Sequence, residues 1–568
     1  MRGGRAAAFA FSSLWFAMAT VGFAAEPQPA PAPTRAQATN ATSTYIVRYD
    51  HWSAEDERGF GEFVNSIGES QCHTVNSCLH GAGNPFRASD APGVVFTSDC
   101  ADLPYVLRGY YAWKRGLPFS YEKEVEPRGH TRDIRYTKNG NEVTARTDVL
   151  SYSVSGYTML ETVQDMISSA SYRIHPDLEE PEETDLYSPA IEEKSIRPGT
   201  LVYDPNGHVA TIYRVDADGR INYIDAHPDY SVTRGFYDER FVRSRPGMGA
   251  GFKNWRPVRL VGATRRSDGV YIGGHMELAP NKAIPDFSDE QFFGTGKRPD
   301  DDGDWAKGGF ALNGEPMEYY DYVRAKLAGG KLEFDPVKEV HDMVDSNCND
   351  LHYRADAVVL AIAAGIENLP QPERLPPNIY GTEGDWETYS TPSRDARLKT
   401  AFKELRDKTE RFVRMYEAGD PKLTYKGNDL VADLIATYDR EAAACKVSYA
   451  RSDGSIINFG YEEARHRLFA MSFDPYQCIE RRWAASDPRE LSACKDGPFK
   501  QAWYAAEQNL RNQIDRTYDV DMNFTLEDLK TPGSGKGVVS PPDIDTRAYL
   551  MSARGVRPKT QKSASAEP

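Results

Sequence analysis

Three residue types that together can break an amide bond stand at spacings one fold could gather: a thiol, an imidazole and a carboxylate. Cys100 lies in Thr97-Ser98-Asp99-Cys100-Ala101-Asp102-Leu103, just before a stretch, Tyr105 to Arg115, that reads as a helix. A thiol at a helix N-terminus feels the positive end of the macrodipole and unpaired N–H groups, which favour the thiolate. The same N–H groups can line an oxyanion hole. Pro104 belongs in a first helical turn, which moves the expected helix start toward Asp102. His208 opens the apolar run HVATIY directly after the turn signal Asp204-Pro205-Asn206-Gly207. A strand end beside a tight turn is rigid on one side and open to a cleft on the other, which suits a general base. The next run, Ile221 to His227, can pair antiparallel with the first, and its far end returns beside His208. Asp225 there could orient the imidazole and stabilise its cation, with His227, before Pro228, as the alternative third residue.

The elements that must position these groups form an α+β pattern over residues 44–262. Thr44 to Asp50 alternates as a short strand, and Ser53 to Ile67 reads as a helix capped by Ser53. Asn139-Gly140 predicts a tight hairpin between strands within Ile134 to Ala145. Thr158 to Tyr172 reads as an amphipathic helix. Thr200 to Tyr203, His208 to Val215 and Arg220 to Asp225 read as strands joined by Asp-Pro-Asn-Gly and Asp-Ala-Asp-Gly turns. Residues 263–314 form a Gly-, Pro- and Asp-rich connector. From 315 to 530 helical periodicity dominates: Pro316 to Ala328, Val337 to Ile366, Asp395 to Glu417, Asn428 to Cys445, Tyr461 to Phe473 and Phe499 to Tyr518. Thr391, Ser393 and Asn428 are candidate caps in this α-helical domain. Residues 531–568 have the composition of a frayed tail.

Asp99-Cys100-Ala101-Asp102-Leu103 is similar to the Asp-Cys-x-x-Leu opening of the catalytic helix in NlpC-type cell-wall endopeptidases and related amidases. Gly199 to Tyr213 (GTLVYDPNGHVATIY) resembles their paired His-bearing strands, and Tyr223-Ile224-Asp225-Ala226 falls where they carry a third polar residue. The resemblance covers the first domain only. It implies a papain-like fold with Cys100 as nucleophile, His208 as base and Asp225 as orienter, acting on a peptide or amide substrate without cofactor or metal. Envelope peptides are the substrate class it implies. The long Cys-to-His separation suits transglutaminase-like relatives as well, and Asp102 stands where those families have a small residue. A different reading is a non-catalytic scaffold that holds an envelope protein through its helical half.

Composition bounds these readings. Of 568 residues, 40% are hydrophobic and 27% charged, which describes a globular chain, not a polytopic membrane protein. With 84 acidic against 68 basic side chains the net charge is -16, which argues against nucleic acid or anionic lipid as the main partner. Arg2 and Arg5, the apolar stretch from Ala6 and the small residues around Ala24-Ala25 read as a signal peptide over residues 1–25, followed by a Pro/Ala-rich linker over 26–43. A periplasmic or secreted location makes disulfides the expected fate of cysteine. The seven cysteines can then pair as Cys72 with Cys78, Cys348 with Cys445 and Cys478 with Cys494, leaving Cys100 unpaired; sequence alone leaves other connectivities open. Cys72, His73, Cys78 and His80 could also be read as zinc ligands, but at no standard spacing. Asp300-Asp301-Asp302-Gly303-Asp304 reads as a solvated acidic loop.

Overall fold

The computed structural model describes residues 40, 42–129, 134–135, 137–178, 184–379, 384–389, 392–515, 522–530 and 538–558. The segments read from sequence as a signal peptide, most of the expected linker and parts of the expected tail lie outside them.

The fold mixes helices with antiparallel sheet, as the sequence pattern predicts for an α+β chain. Helix α1 (Ala54–Glu69) begins on a capping box. The Ser53 hydroxyl accepts from the Asp56 N–H at 3.2 Å, and the Asp56 carboxylate accepts from the Ser53 N–H at 2.9 Å. Ser53→Ala is expected to lower stability by about 1 kcal/mol, read from the urea midpoint at unchanged m-value. Helix α2 (Val75–His80) is a short turn of helix, α3 (Leu103–Arg115) follows Cys100, and α4 (Gly156–Met166) packs on α3.

Strands β1 (Phe119–Pro127) and β2 (Asn141–Val149) form a separate long hairpin. The central sheet contains β3 (Leu186–Tyr187), β4 (Leu201–Asp204), β5 (His208–Val215), β6 (Ile221–Ala226), β7 (Val232–Phe236) and β8 (Gly251–Trp255). Its order is β3-β8-β4-β5-β6-β7, with every pairing antiparallel. A ninth strand, β9 (Val258–Val261), pairs outside it with His275–Leu278.

The sheet is covered on both faces, which is why β5 and β6 are nearly continuous apolar runs. Leu201, Tyr203, Val209 and Ile224 face the core formed with α1 and α3. Val202, Ala210, Ile212 and Tyr223 face the opposite way, toward Phe310 and Tyr319, Tyr322, Val323 and Leu327. These last four belong to α6 (Tyr319–Leu327), which follows the single-turn α5 (Glu290–Phe293). Behind α6 lie α7 (Pro336–Ala363), α8 (Gly384–Tyr389), α9 (Pro392–Ala418), α10 (Leu430–Ala444) and α11 (Tyr461–Arg467), with a core of their own around Val340, Leu351, Phe402 and Leu434. No described helix is long and apolar enough to cross a membrane.

Several local expectations change. Thr44 to Asp50 is not a strand; Tyr45 exchanges hydrogen bonds with the loop at Tyr152 and Val154 instead of a sheet neighbour. The hairpin over Ile134 to Ala145 is replaced by β1–β2, and β1 was hidden because its outer half is charged and solvent-facing. Gly140 does have φ 76°, but it serves a close approach: a Cβ there would lie 2.1 Å from the Gly247 carbonyl oxygen. The helix expected to Tyr172 stops at Met166, and Ser168 caps a separate 3-10 turn, Ser169–Tyr172. In the helical half, Glu315–Met317 is a strand, α11 ends at Arg467, and Phe499 to Tyr518 is broken into Pro498–Ala506 and Gln508–Arg511, with 516–518 outside the described residues. Asp429, not Asn428, caps α10; Ser393 lies inside α9, and Thr391 is outside the described residues.

The disulfides are Cys72–Cys78, Cys348–Cys445 and Cys478–Cys494, and Cys100 is a free thiol. Bonded to each other, Cys72 and Cys78 are not available as the thiolates a zinc site would need.

Candidate active site

Cys100 sits in the turn that leads into α3, three residues before the first helical residue, as Pro104 requires. Its Sγ is 3.8 Å from the Gly207 carbonyl oxygen and accepts from the Val209 N–H, so the sulfur rests against the backbone on either side of His208. Burial, and then the Asp99 carboxylate, push the thiol well above its usual range; the Val209 N–H and the Arg397 guanidinium oppose them. The resting sulfur is a thiol.

The helix-start N–H groups are not those that serve an oxyanion. The Asp99 carboxylate takes the Ala101 N–H at 2.7 Å and the Asp102 N–H at 3.3 Å. Asp102, 4% exposed, lies beneath the turn, where its carboxylate accepts from the Asp99 N–H at 2.8 Å. Burial and the neighbouring Asp99 push it up to about 10, so it is uncharged at neutral pH. Asn84, which before Pro85 could be read as a side-chain donor to an oxyanion hole, is fully buried elsewhere, with its amide donating to the Leu79 carbonyl and the Tyr110 hydroxyl.

The His208 turn is built locally. Asp204 pairs with His208 across a three-residue loop, Gly207 takes φ 91°, and the Asp204 carboxylate accepts from the Asn206 N–H. Buried Arg173 pins the turn by donating to the Pro205 carbonyl at 2.7 Å. Register does the rest. Thr211 pairs with Ile224, so His208 and Asp225 fall on the same face of the sheet as diagonal neighbours. His208 Nε2 lies 2.6 Å from Asp225 Oδ2. Thr233, directly opposite Asp225 on β7, donates its hydroxyl to Asp225 Oδ1.

Asp225 is wholly buried, yet the carboxylate is held well below its usual range. Burial acts to raise it, and His227, the His208 hydrogen bond and Arg397 together outweigh burial. A permanent anion fully enclosed beside an imidazole is the partner an imidazolium requires. His227 takes no part in that hydrogen bond. Its Nε2 is 3.0 Å from the Thr233 hydroxyl, and its ring stacks 4.4 Å from Tyr353. Burial first, and then Arg394 and His208, lower it to about 3 against the pull of Asp225, so it stays neutral.

The face that carries His208 and Asp225 is the face covered by the helical half. Tyr353 of α7 and Arg394 and Arg397 of α9 close over it, leaving a cavity of about 230 Å³ lined by Cys100, His208, Tyr223 and these three, among others. Arg397 Nη1 is 3.0 Å from His208 Nε2 and 3.5 Å from Asp225 Oδ2. With the Nε2 proton donated to Asp225, the arginine N–H points at the same carboxylate oxygen. Sequence reading missed Thr233, Tyr353, Arg394 and Arg397. The strand pattern gave a signal for Thr233 alone.

No family model matches the chain, and no curated protein or solved structure was found similar to it.

Proposed function

We propose that the chain is a papain-like cysteine hydrolase that cleaves an amide bond, with Cys100 as nucleophile, His208 as base and Asp225 as its orienting anion. The observation that carries this is a single one: the unpaired sulfur shares a closed cleft with an imidazole whose Nε2 is held by a fully buried carboxylate. Asp225 fixes the tautomer with the proton on Nε2, which leaves Nδ1 to take the Cys100 proton. The sulfur then attacks the carbonyl carbon, the C–N bond breaks, and the amine departs with the proton from His208. Water, activated by the same imidazole, hydrolyses the thioester. An amine in place of water would give acyl transfer of the transglutaminase type.

Export agrees with three disulfides and with the absence of a membrane-spanning helix among the described residues. Envelope peptides are the substrates the resemblance suggests. Incubated with peptidoglycan stem peptides and quenched in acid, the protein is expected to carry an acyl adduct on Cys100, found by mass spectrometry, and to release a free amine. A chain that yields neither, while Cys100 still reacts with iodoacetamide, is an inert scaffold on a papain-like frame.

A further inference from the structure

Five arginines line the cleft of a chain that is strongly anionic. Its lining includes Arg135, Arg240, Arg354, Arg394 and Arg397 against Asp99, Asp350 and Glu387. Two of these arginines have closed their forks on buried carboxylates. Arg354 binds Asp395 at 2.8 and 3.0 Å, and Arg240 Nε lies 2.9 and 3.0 Å from the two Asp238 oxygens. One of the acids is likewise turned away. Asp99 holds backbone N–H groups, whereas Asp350 is 3.8 Å from Arg240, takes no hydrogen bond at Oδ2 and also feels the Arg397 charge. Arg397 differs from Arg354 and Arg240. It reaches only one oxygen of Asp225, at 3.5 Å, which His208 already occupies at 2.6 Å, and its side chain is 21% exposed. A guanidinium is a planar fork suited to two parallel hydrogen bonds to a carboxylate, and this one shares a single oxygen at the edge of the cavity.

Building on the nucleophile reading of Cys100, we infer that Arg397 binds a carboxylate carried by the substrate next to the scissile amide. The substrate class is therefore an amide or peptide with an acidic side chain or a free α-carboxylate at that position. At about 230 Å³ the cavity admits a fragment of this size and not a folded chain. The arrangement also explains why the helical half closes on the catalytic face of the sheet: it supplies the specificity residue that β5 and β6 cannot. Arg394, stacked 5.2 Å from the Tyr353 ring, adds positive potential at the same wall.

Two alkylating reagents of nearly one shape separate the charge from the chemistry. Iodoacetate carries a carboxylate and iodoacetamide its neutral counterpart. With either, the Cys100 sulfur forms a C–S bond as iodide leaves with the C–I electron pair, and the thiol proton passes to His208. The ratio of the two rate constants cancels any change in thiolate fraction, since both meet the same sulfur. Measured in the full chain against the ratio for 2-mercaptoethanol, Cys100 is expected to favour iodoacetate by about ten-fold, the worth of one charge-assisted hydrogen bond. Arg397→Gln should bring the ratio most of the way back toward that of the free thiol, the remainder being the potential of Arg394 and the imidazolium, and Arg397→Lys should retain more of the preference. A wild-type ratio equal to the free thiol's, or a preference that survives undiminished in Arg397→Gln, overturns the carboxylate site and leaves the hydrolase reading standing. Failure of both reagents to label Cys100 in the folded chain overturns the nucleophile, and this inference with it.

Discussion

A His208→Ala chain is expected to alkylate at Cys100 about 100-fold more slowly than wild type at pH 7, and to cleave amide substrates at least 1000-fold more slowly. The reason lies in the surroundings of the sulfur. Burial and Asp99 raise the thiol, so a lone thiolate in this cleft is scarce at neutral pH. On the proposed mechanism it would form as one half of a thiolate–imidazolium pair, and that pair would need both the ring and the buried Asp225 behind it. Asp225→Asn keeps the shape but removes the anion and the tautomer control, and should fall between the two. The His208 side chain is 8% exposed at the edge of the cavity, so the alanine variant should still fold, which far-ultraviolet circular dichroism checks. Equal alkylation rates in wild type and His208→Ala would mean that the imidazole does not act on the sulfur.

Acid is the second large perturbation. His227 is lowered to about 3 by burial, so between about pH 6.5 and pH 3 the unfolded chain binds a proton that the folded chain refuses. The His227 contribution to stability therefore falls as pH falls through that window, by on the order of a few kcal/mol. Asp225 acts in the same direction lower down. Its folded-state value is depressed, so its contribution is complete above about pH 4 and is lost on further acidification. His227→Phe keeps the stack on Tyr353 and removes the first component. Because raised carboxylates such as Asp102 act in the opposite direction in both chains, the quantity to read is the difference: in urea unfolding at pH 7, 6, 5 and 4 the wild-type midpoint should fall progressively relative to that of the variant. Parallel curves would exclude His227 as the source.

The difference between what could be read early and what could not follows the range of the interactions. The Asp204-to-Gly207 turn, the apolar run after it and the return of Ile221 to Ala226 are local, and turn chemistry with strand alternation places His208 and Asp225 at one end of one hairpin. The cysteine pairing was one of several the sequence allowed, and the fold selects it by bringing Cys72 to Cys78, Cys348 to Cys445 and Cys478 to Cys494 while Cys100 stays unpaired. The Asn139-Gly140 hairpin failed for an equally physical reason. The glycine was needed where the Gly247 carbonyl approaches within 2.1 Å of a would-be Cβ, and turn propensity and close approach look the same in sequence.

Arg397 belongs to a different class. In sequence it is one charge on a charged helix, separated from His208 by 189 residues. Nothing in its neighbours distinguishes it from Arg406 or Arg411. The chain alone singled out Cys100, His208 and Asp225, because each is set by a turn or a strand register a few residues long. Which face of the sheet they look out from, what closes over them and which charges line the cavity depended on how the helical half packs. That packing is the sum of many weak apolar contacts between distant segments, and no short stretch of residues records it.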